Sequence, residues 1–363
     1  MIEKRKYEVS EKEIEVANLF SRLGYFTRCH IQIFPIEFKT QASDIDVFAT
    51  RFDSHLSPEM DLIEVKEGYG KVTELFQLLG FKTYFHPSQA YLVAKDVMET
   101  TLQISKKLGV QAVTFDRLRE IVERDLKLAE ERKRISVDLT YADIERVIDY
   151  LSIIKRSQDE LFWRYHYLWL EVDPYEKFYH LQSLFARSLD LENRTKNEQL
   201  SKALEWYKQE LFCLSLFGAI LIAYDCIGLN QDQVLRFIED RFYNVGTSKE
   251  GKQKVKKGIE TLVEQIDKLS KGMIKVAPVE VIPSYVKDLA ILVKFLIKNA
   301  PFVQSYLLVD DNVQKTNLKG GSKSFKEFTT LEIQAKRVEE MNGILLKILY
   351  EGKPISITFN DFI

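Results

Sequence analysis

Apolar residues recur along the first third of the chain at two spacings, that of a helix and that of strands. In residues 11–23 they recur at helical spacing, and Gly24 follows as a C-terminal stop. In residues 43–50 polar and apolar side chains alternate, which predicts a half-buried strand. The chain therefore opens with a helix that is followed by a strand-rich region.

The next segment continues the strand signal and then alternates strands with helices. Residues 61–66 predict another strand, which we expect Gly68 and Gly70 to break. In chain order, the other elements predicted before residue 118 are a strand or strand plus loop over 25–38, a helix over 72–84, a strand over 90–94, a helix over 97–108 and a strand over 110–115. This alternation implies βαβ units and a mixed sheet covered by helices.

Beyond about residue 118 strand signals nearly vanish and helical spacing dominates. Further helices are predicted over 118–135, 140–171, 175–190, 196–225, 231–243, 251–270, 283–298 and 329–350, and residues 355–363 could form one short strand. We therefore expect an α/β domain over 1–120, a charged helical connector over 121–138 and an α-helical domain over 139–363. The last would recognise substrate, mediate oligomerisation or bind partner proteins.

Composition indicates a soluble protein of ordinary globular character. The 363 residues suggest two or three domains, and 45% are hydrophobic and 29% charged. The most apolar stretch, Leu211–Tyr224, is shorter than the roughly 20 residues that span a membrane, so we expect a buried core helix. The charged N-terminus is unlike a signal peptide, and three widely spaced cysteines predict reduced thiols in a cytoplasmic protein.

The charge balance limits how the protein could contact nucleic acid. Residues 1–120 carry 16 Lys and Arg against 18 Asp and Glu, and the remaining residues carry 36 of each. A broadly basic surface is therefore not predicted. Any contact with nucleic acid must come from local patches or from a site bridged by a metal ion.

Candidate chemistry lies on the two predicted strands SDIDVFA and LIEVKEG. Because side chains alternate along a strand, Asp44 and Asp46 should share one face, and Ile45 and Val47 the other. In the second strand Glu64 and Lys66 should likewise share a face. If the two strands are neighbours, Asp46, Glu64 and Lys66 form one cluster.

This cluster suits the hydrolysis of phosphodiester bonds. Two carboxylates can hold Mg²⁺ or Mn²⁺, which prefer oxygen ligands. Such a metal lowers the pKa of a bound water and neutralises charge that grows on the phosphate. Lys66 would orient the attacking water or stabilise the transition state electrostatically.

The pattern D-x(n)-E-x-K on adjacent strands resembles the PD-(D/E)xK nuclease superfamily, nearest to Mrr-type and Holliday-junction-resolvase-like domains. The resemblance covers about residues 8–118, and includes ExxVAxLFxxxGY before the site and a later helix, an xxLVA strand and KKLGV. It implies an α/β restriction-endonuclease-like fold with a mixed central sheet, followed here by the mainly α-helical domain. By it, Asp46, Glu64 and Lys66 would bind metal or act in catalysis, and Glu13 would be an auxiliary metal ligand.

Two departures from the family pattern concern the aspartate. Position 43 is serine rather than proline, and Asp44 competes with Asp46 for the family position. The xDxDVxA spacing favours Asp46, with Asp44 as a flanking residue. The resemblance further implies DNA as substrate, a homodimer or a subunit of a complex, and a role in restriction or phage defence.

Several weaker candidates have plain structural explanations. Lys71, Gln77 and Lys95 are candidates for contact with nucleic acid, although solvated helix and strand positions explain them equally well or better. The five histidines show no HxxxH or HExxH spacing, so no histidine-based metal site is predicted. The alternative to an enzyme is a non-catalytic nucleic-acid-binding or scaffold subunit that uses a nuclease-like fold.

Overall fold

A five-stranded mixed sheet forms the N-terminal part of the protein. The computed structural model describes residues 9–34, 43–128, 136–245, 257, 261, 282–321, 328 and 332–351. The strands are β1 (Phe26–Ile33), β2 (Ser43–Phe52), β3 (Pro58–Gly70), β4 (Gln89–Val97) and β5 (Gln111–Thr114). They lie in chain order, β1–β2–β3 antiparallel and β3–β4–β5 parallel, which confirms the predicted mixed sheet.

Four helices cover the two faces of this sheet. They are α1 (Glu11–Arg22), α2 (Val72–Phe85), α3 (Glu99–Leu108) and α4 (Phe115–Leu128). On one face, apolar residues of α1 and α4 pack with Val47, Ile63 and Val93. On the other, α2 packs with Leu92 of β4, where the parallel strands are joined by crossover helices as predicted.

Two sequence-based boundaries in this region were wrong. Strand β3 does not stop at Gly68 but continues to Gly70, with a bulge between Lys66 and Tyr69. Gly70 fits there because a side chain would meet Leu92 at 3.1 Å. The predicted helix over 118–135 corresponds to α4, which begins at Phe115 and is described to Leu128. Residues 136–138 of the predicted connector are not helical, and residues 129–135 lie outside the described residues.

The rest of the described chain is helical, as predicted. Its helices are α5 (Tyr141–Ser157), α6 (Asp159–Leu170), α7 (Pro174–Arg194), α8 (Glu198–Asp225), α9 (Gln231–Asn244), α10 (Val286–Lys298), α11 (Ala300–Leu318) and α12 (Glu332–Glu351). The single helix expected over 140–171 is two helices, because the backbone of Gln158 leaves the helical region. Helix α11 was not predicted. The helix expected over 251–270, apart from Lys257 and Thr261, and the strand expected over 355–363 lie outside the described residues.

The main hydrophobic core extends from the sheet into the helical part. Phe26, Phe48 and Leu62 of the sheet belong to the same core as Trp169 of α6 and Phe217 of α8. Helix α8 is apolar and long enough for a membrane span, yet 78% of its most apolar window is buried within the protein. It is therefore a core helix of this fold, as expected for the stretch 211–224.

Candidate active site

The candidate site lies where β2 and β3 separate. Their pairing runs from Phe52–Pro58 to Val47–Ile63, and the next opposed position would be Asp46–Glu64. Instead of a backbone partner, the Val65 N–H donates to Oδ2 of Asp46 at 2.7 Å. The Asp46 carboxylate is thus fixed at the open end of the strand pair.

Lys66 joins the two carboxylates. Its Nζ lies 2.5 Å from Oε1 of Glu64 and 3.9 Å from Oδ2 of Asp46. The side chains of Glu64, Asp46 and Lys66 are 5%, 13% and 35% exposed, so the ammonium group is the accessible member. The predicted clustering of these three residues is confirmed, and Asp46 rather than Asp44 is the aspartate that contacts Lys66.

The alternation expected along β2 is interrupted at Asp46. Ile45 belongs to the core beneath the helical part, together with Phe48, whereas Val47 packs with α1 and α4 on the opposite face. The prediction that Ile45 and Val47 share a face was therefore wrong. The side chains of β2 therefore change face between Ile45 and Val47, at Asp46.

Glu13 reaches the same region from α1. Its Oε1 accepts the Ser10 N–H at 3.3 Å, and Ser10 Oγ accepts the Glu13 N–H at 3.2 Å, which closes a capping box. Its Oε2 is buried and has no hydrogen-bond partner among the described residues. Burial raises the pKa of Glu13, and the charge of nearby Asp44 adds to that rise, whereas Lys66 opposes it.

Burial and like charges make the carboxylates of the site hard to ionise. Burial raises the pKa of Asp46 to about 8, with further contributions from the charges of Glu64 and Glu13. Burial also raises the pKa of Glu64, although its contact with Lys66 opposes the shift. Burial lowers the pKa of Lys66, but Glu64 and Asp46 outweigh it and the net shift is upward. A cation placed among these carboxylates would relieve their repulsion.

The donor atoms fit a hard cation that takes few ligands from the protein. In the described parts of the chain, no group of three or more His, Cys, Asp or Glu residues is arranged to hold a metal ion. Mg²⁺, however, is often held by one or two carboxylates, with waters and substrate phosphates completing its shell. Asp46 and Glu64 supply such a pair, and the unpartnered Oε2 of Glu13 is a third oxygen nearby.

His30 and Asp44 also belong to this region, although no sequence motif pointed to the histidine. Nδ1 of His30 lies 3.4 Å from Oδ2 of Asp44. The charge of Asp44 raises the pKa of both Glu13 and Glu64, after burial in each case, which places it beside the cluster. Histidine spacing motifs could not reveal His30, because Asp44 lies on a neighbouring strand.

The weaker nucleic-acid candidates lie on the surface around the site. Lys71 precedes α2, and its backbone N–H donates to Glu74 at 2.9 Å. Gln77 is on the exposed side of α2, and Lys95 is exposed on β4 next to Ala94, the register partner of Lys66. None of the three makes a described contact with Asp46, Glu64 or Lys66, so their roles remain predictions.

Comparisons of the chain with models of protein families, with curated proteins and with solved structures found no match.

Proposed function

We propose that the protein is a metal-dependent nuclease that hydrolyses phosphodiester bonds of DNA with Mg²⁺ or Mn²⁺. The observation that carries this proposal is the meeting of Asp46, Glu64 and Lys66 at the open end of β2 and β3. Carboxylates beside a lysine, on a strand pair, suit metal-dependent hydrolysis of phosphodiester bonds.

Each residue has a distinct part in this proposal. Asp46 and Glu64 would hold the metal ion, and the free Oε2 of Glu13 would support it. When bound, such a metal activates a water and neutralises phosphate charge. Lys66, the most exposed member, donates from its ammonium group to the attacking water or to a phosphate oxygen.

The position of the site favours a polymeric substrate. A partly enclosed cavity of about 70 Å³ beside β1 is lined by His30 and Gln32 but not by Asp46, Glu64 or Lys66. The reactive groups lie where the pairing of β2 and β3 ends, and this place remains partly open at Lys66. An extended chain can approach such an edge without being enclosed.

DNA, a homodimer or larger complex, a cytoplasmic location and a role in restriction or phage defence extend this proposal. They rest on the resemblance of the motifs around Glu13, Asp46 and Glu64 to those nucleases. Because the chain has no strongly basic balance, a metal-bridged phosphate would supply much of the local attraction.

Incubation of purified protein with supercoiled plasmid and Mg²⁺ or Mn²⁺ tests the proposal. We expect nicked or linear product with the wild type, and little product with Asp46→Ala or Lys66→Ala. Equal cleavage by the wild type and both variants would remove the site assignment, since contaminating nuclease would then explain the product.

A second candidate function is a non-catalytic nucleic-acid-binding or scaffold subunit. It is favoured by the contact of Lys66 with Glu64, which already neutralises one carboxylate, and by the lack of a three-ligand group in the described chain. Calorimetric titration with Mn²⁺ separates the two. Binding that is lost in Asp46→Ala and Glu64→Gln supports the nuclease, and no binding by the wild type supports the scaffold.

A further inference from the structure

His30 has a backbone conformation that strands rarely contain. It lies within β1, between Cys29 and Ile31, with a φ of 57°. Left-handed φ values are uncommon for residues other than glycine, although histidine is among the more tolerant types. In the register of β1 and β2, Cys29 pairs with Val47 and Ile31 pairs with Ile45, which puts His30 opposite Asp46.

In both strands the side chains change face at the opposed residues His30 and Asp46. On β1, Cys29 packs with the α1 side of the sheet, whereas Ile31 belongs to the core beneath the helical part. On β2, Val47 and Ile45 divide between the same two cores. Residues two apart share a face in a regular strand, so the backbone of each strand rotates between them.

This rotation coincides with the unusual placement of Asp46. Its carboxylate does not lie over a sheet face but accepts the N–H of Val65 on the other neighbouring strand, at 2.7 Å. A regular β1 would pair with β2 through position 46 and hold the normal alternation there. The left-handed residue His30 therefore lies on β1, on one side of β2, and the Asp46 carboxylate points toward β3 on the other side.

The ring of His30 is held on both sides. Nδ1 faces Oδ2 of Asp44 at 3.4 Å, and Nε2 lies 3.4 Å from Nε2 of Gln32. If the amide of Gln32 donates to Nε2, the ring proton is on Nδ1 and points to Asp44. The side chain is only 14% exposed. These contacts explain how a histidine, rather than a glycine, is held in the left-handed conformation.

We propose that His30 is a positioning residue for the candidate active site. Its left-handed backbone turns β1 and β2 so that Asp46 reaches the Val65 N–H and faces Glu64 and Lys66. The inference deepens the proposed nuclease function, but its geometric part can be tested without activity.

Substitutions that differ in their tolerance of a positive φ test this role. His30→Gly and His30→Asn accept the left-handed conformation, whereas His30→Val opposes it. The first measurement is hydrogen exchange at the Val65 amide by NMR, with Asp46→Ala marking the loss of its acceptor. The second is Mn²⁺ affinity by calorimetry, and circular dichroism confirms that each variant is folded.

We expect His30→Gly and His30→Asn to keep the protection of the Val65 amide, and His30→Val to lose it as Asp46→Ala does. Mn²⁺ affinity should change less than about threefold in the first two and fall at least tenfold in His30→Val, since misplaced ligands bind metal weakly. Unchanged protection in His30→Val, or equal loss in His30→Gly and His30→Val, would overturn the inference. Absence of Mn²⁺ binding by the wild type would instead count against the nuclease, and amide exchange would still decide the role of His30.

Discussion

The Asp46 carboxylate takes the place of a strand neighbour for Val65, with 2.7 Å between Oδ2 and the backbone nitrogen. This bond lies one step beyond the last backbone pair of β2 and β3, Val47–Ile63. The sheet itself therefore fixes the carboxylate. Residue 46 must accept the hydrogen bond of the Val65 N–H, whether or not the accepting side chain is charged.

Asp46→Asn should stabilise the protein at high pH in the absence of metal. An asparagine oxygen can still accept from Val65, but it carries no buried charge. Because folding raises the pKa of Asp46 from 3.8 to about 8, the wild type loses stability as pH rises through that window. We expect urea denaturation at pH 8.5 to show a gain of about 1–2 kcal/mol in the free energy of unfolding.

The same comparison at pH 4 provides the control. There the carboxyl group is protonated in the folded protein, and only about half ionised in the unfolded chain, whose pKa is 3.8, so most of the gain should disappear. An equal destabilisation by Asp46→Asn at both pH values would mean that the buried charge of Asp46 does not lower the free energy of unfolding.

Mn²⁺ affinity should depend on pH over an unusually high range. The metal must displace the proton of Asp46, whose pKa burial raises to about 8. Below that value, affinity should fall by about tenfold for each pH unit, as expected when one proton is displaced. Calorimetry between pH 6 and 8.5 measures this slope, and a flat profile would show that no proton is displaced on binding.

Lys66→Met should reduce cleavage much more than metal binding. The substitution removes the ammonium group that contacts Glu64, so the cleavage rate at saturating metal should fall by about 100-fold or more. Mn²⁺ affinity should hold or rise, because a competing cation has been removed. Lys71→Met is the matched control, and it should weaken DNA binding at low salt with little change in maximal rate.

Arg28 should be among the most sensitive positions for stability. It lies on β1, and its guanidinium is bound to Glu210 of α8 at 3.0 Å and to Asp311 of α11 at 2.6 Å. Arg28→Met leaves two buried carboxylates without their shared partner, which should cost about 3–5 kcal/mol. Arg117→Met, in an exposed pair with Glu120, should change stability by less than about 1 kcal/mol. Similar effects of the two substitutions in denaturant titrations would contradict this account.

The same buried network explains why α11 escaped prediction while the other described helices did not. Hydrophobic periodicity identified α8, whose buried face is almost wholly apolar. In α11 the buried residues include Asp311, Gln314 and Lys315, which bind Arg28 or one another. From sequence alone, polar residues are predicted to be exposed to solvent. Only their contacts in the folded structure show that they are buried.

The candidate site was predictable in part for similar reasons. Strand alternation and the D…ExK spacing were enough to bring Glu64 and Lys66 to one place, with Asp46 beside them. Strand alternation could not predict that the side chains of β2 change face at Asp46. This change occurs opposite the left-handed backbone of His30, which lies on another strand. A left-handed conformation at a single residue does not change the hydrophobic periodicity of the sequence.

The most direct test of the nuclease assignment is the rate of Mn²⁺-dependent nicking of supercoiled DNA by Glu64→Gln. Glu59→Gln is the matched control, because Glu59 lies on the same strand, is half-exposed and pairs with Arg51 away from the site. We expect at least a 100-fold loss for Glu64→Gln, a near wild-type rate for Glu59→Gln and no cleavage in the presence of a chelator. Wild-type cleavage by folded Glu64→Gln would contradict it.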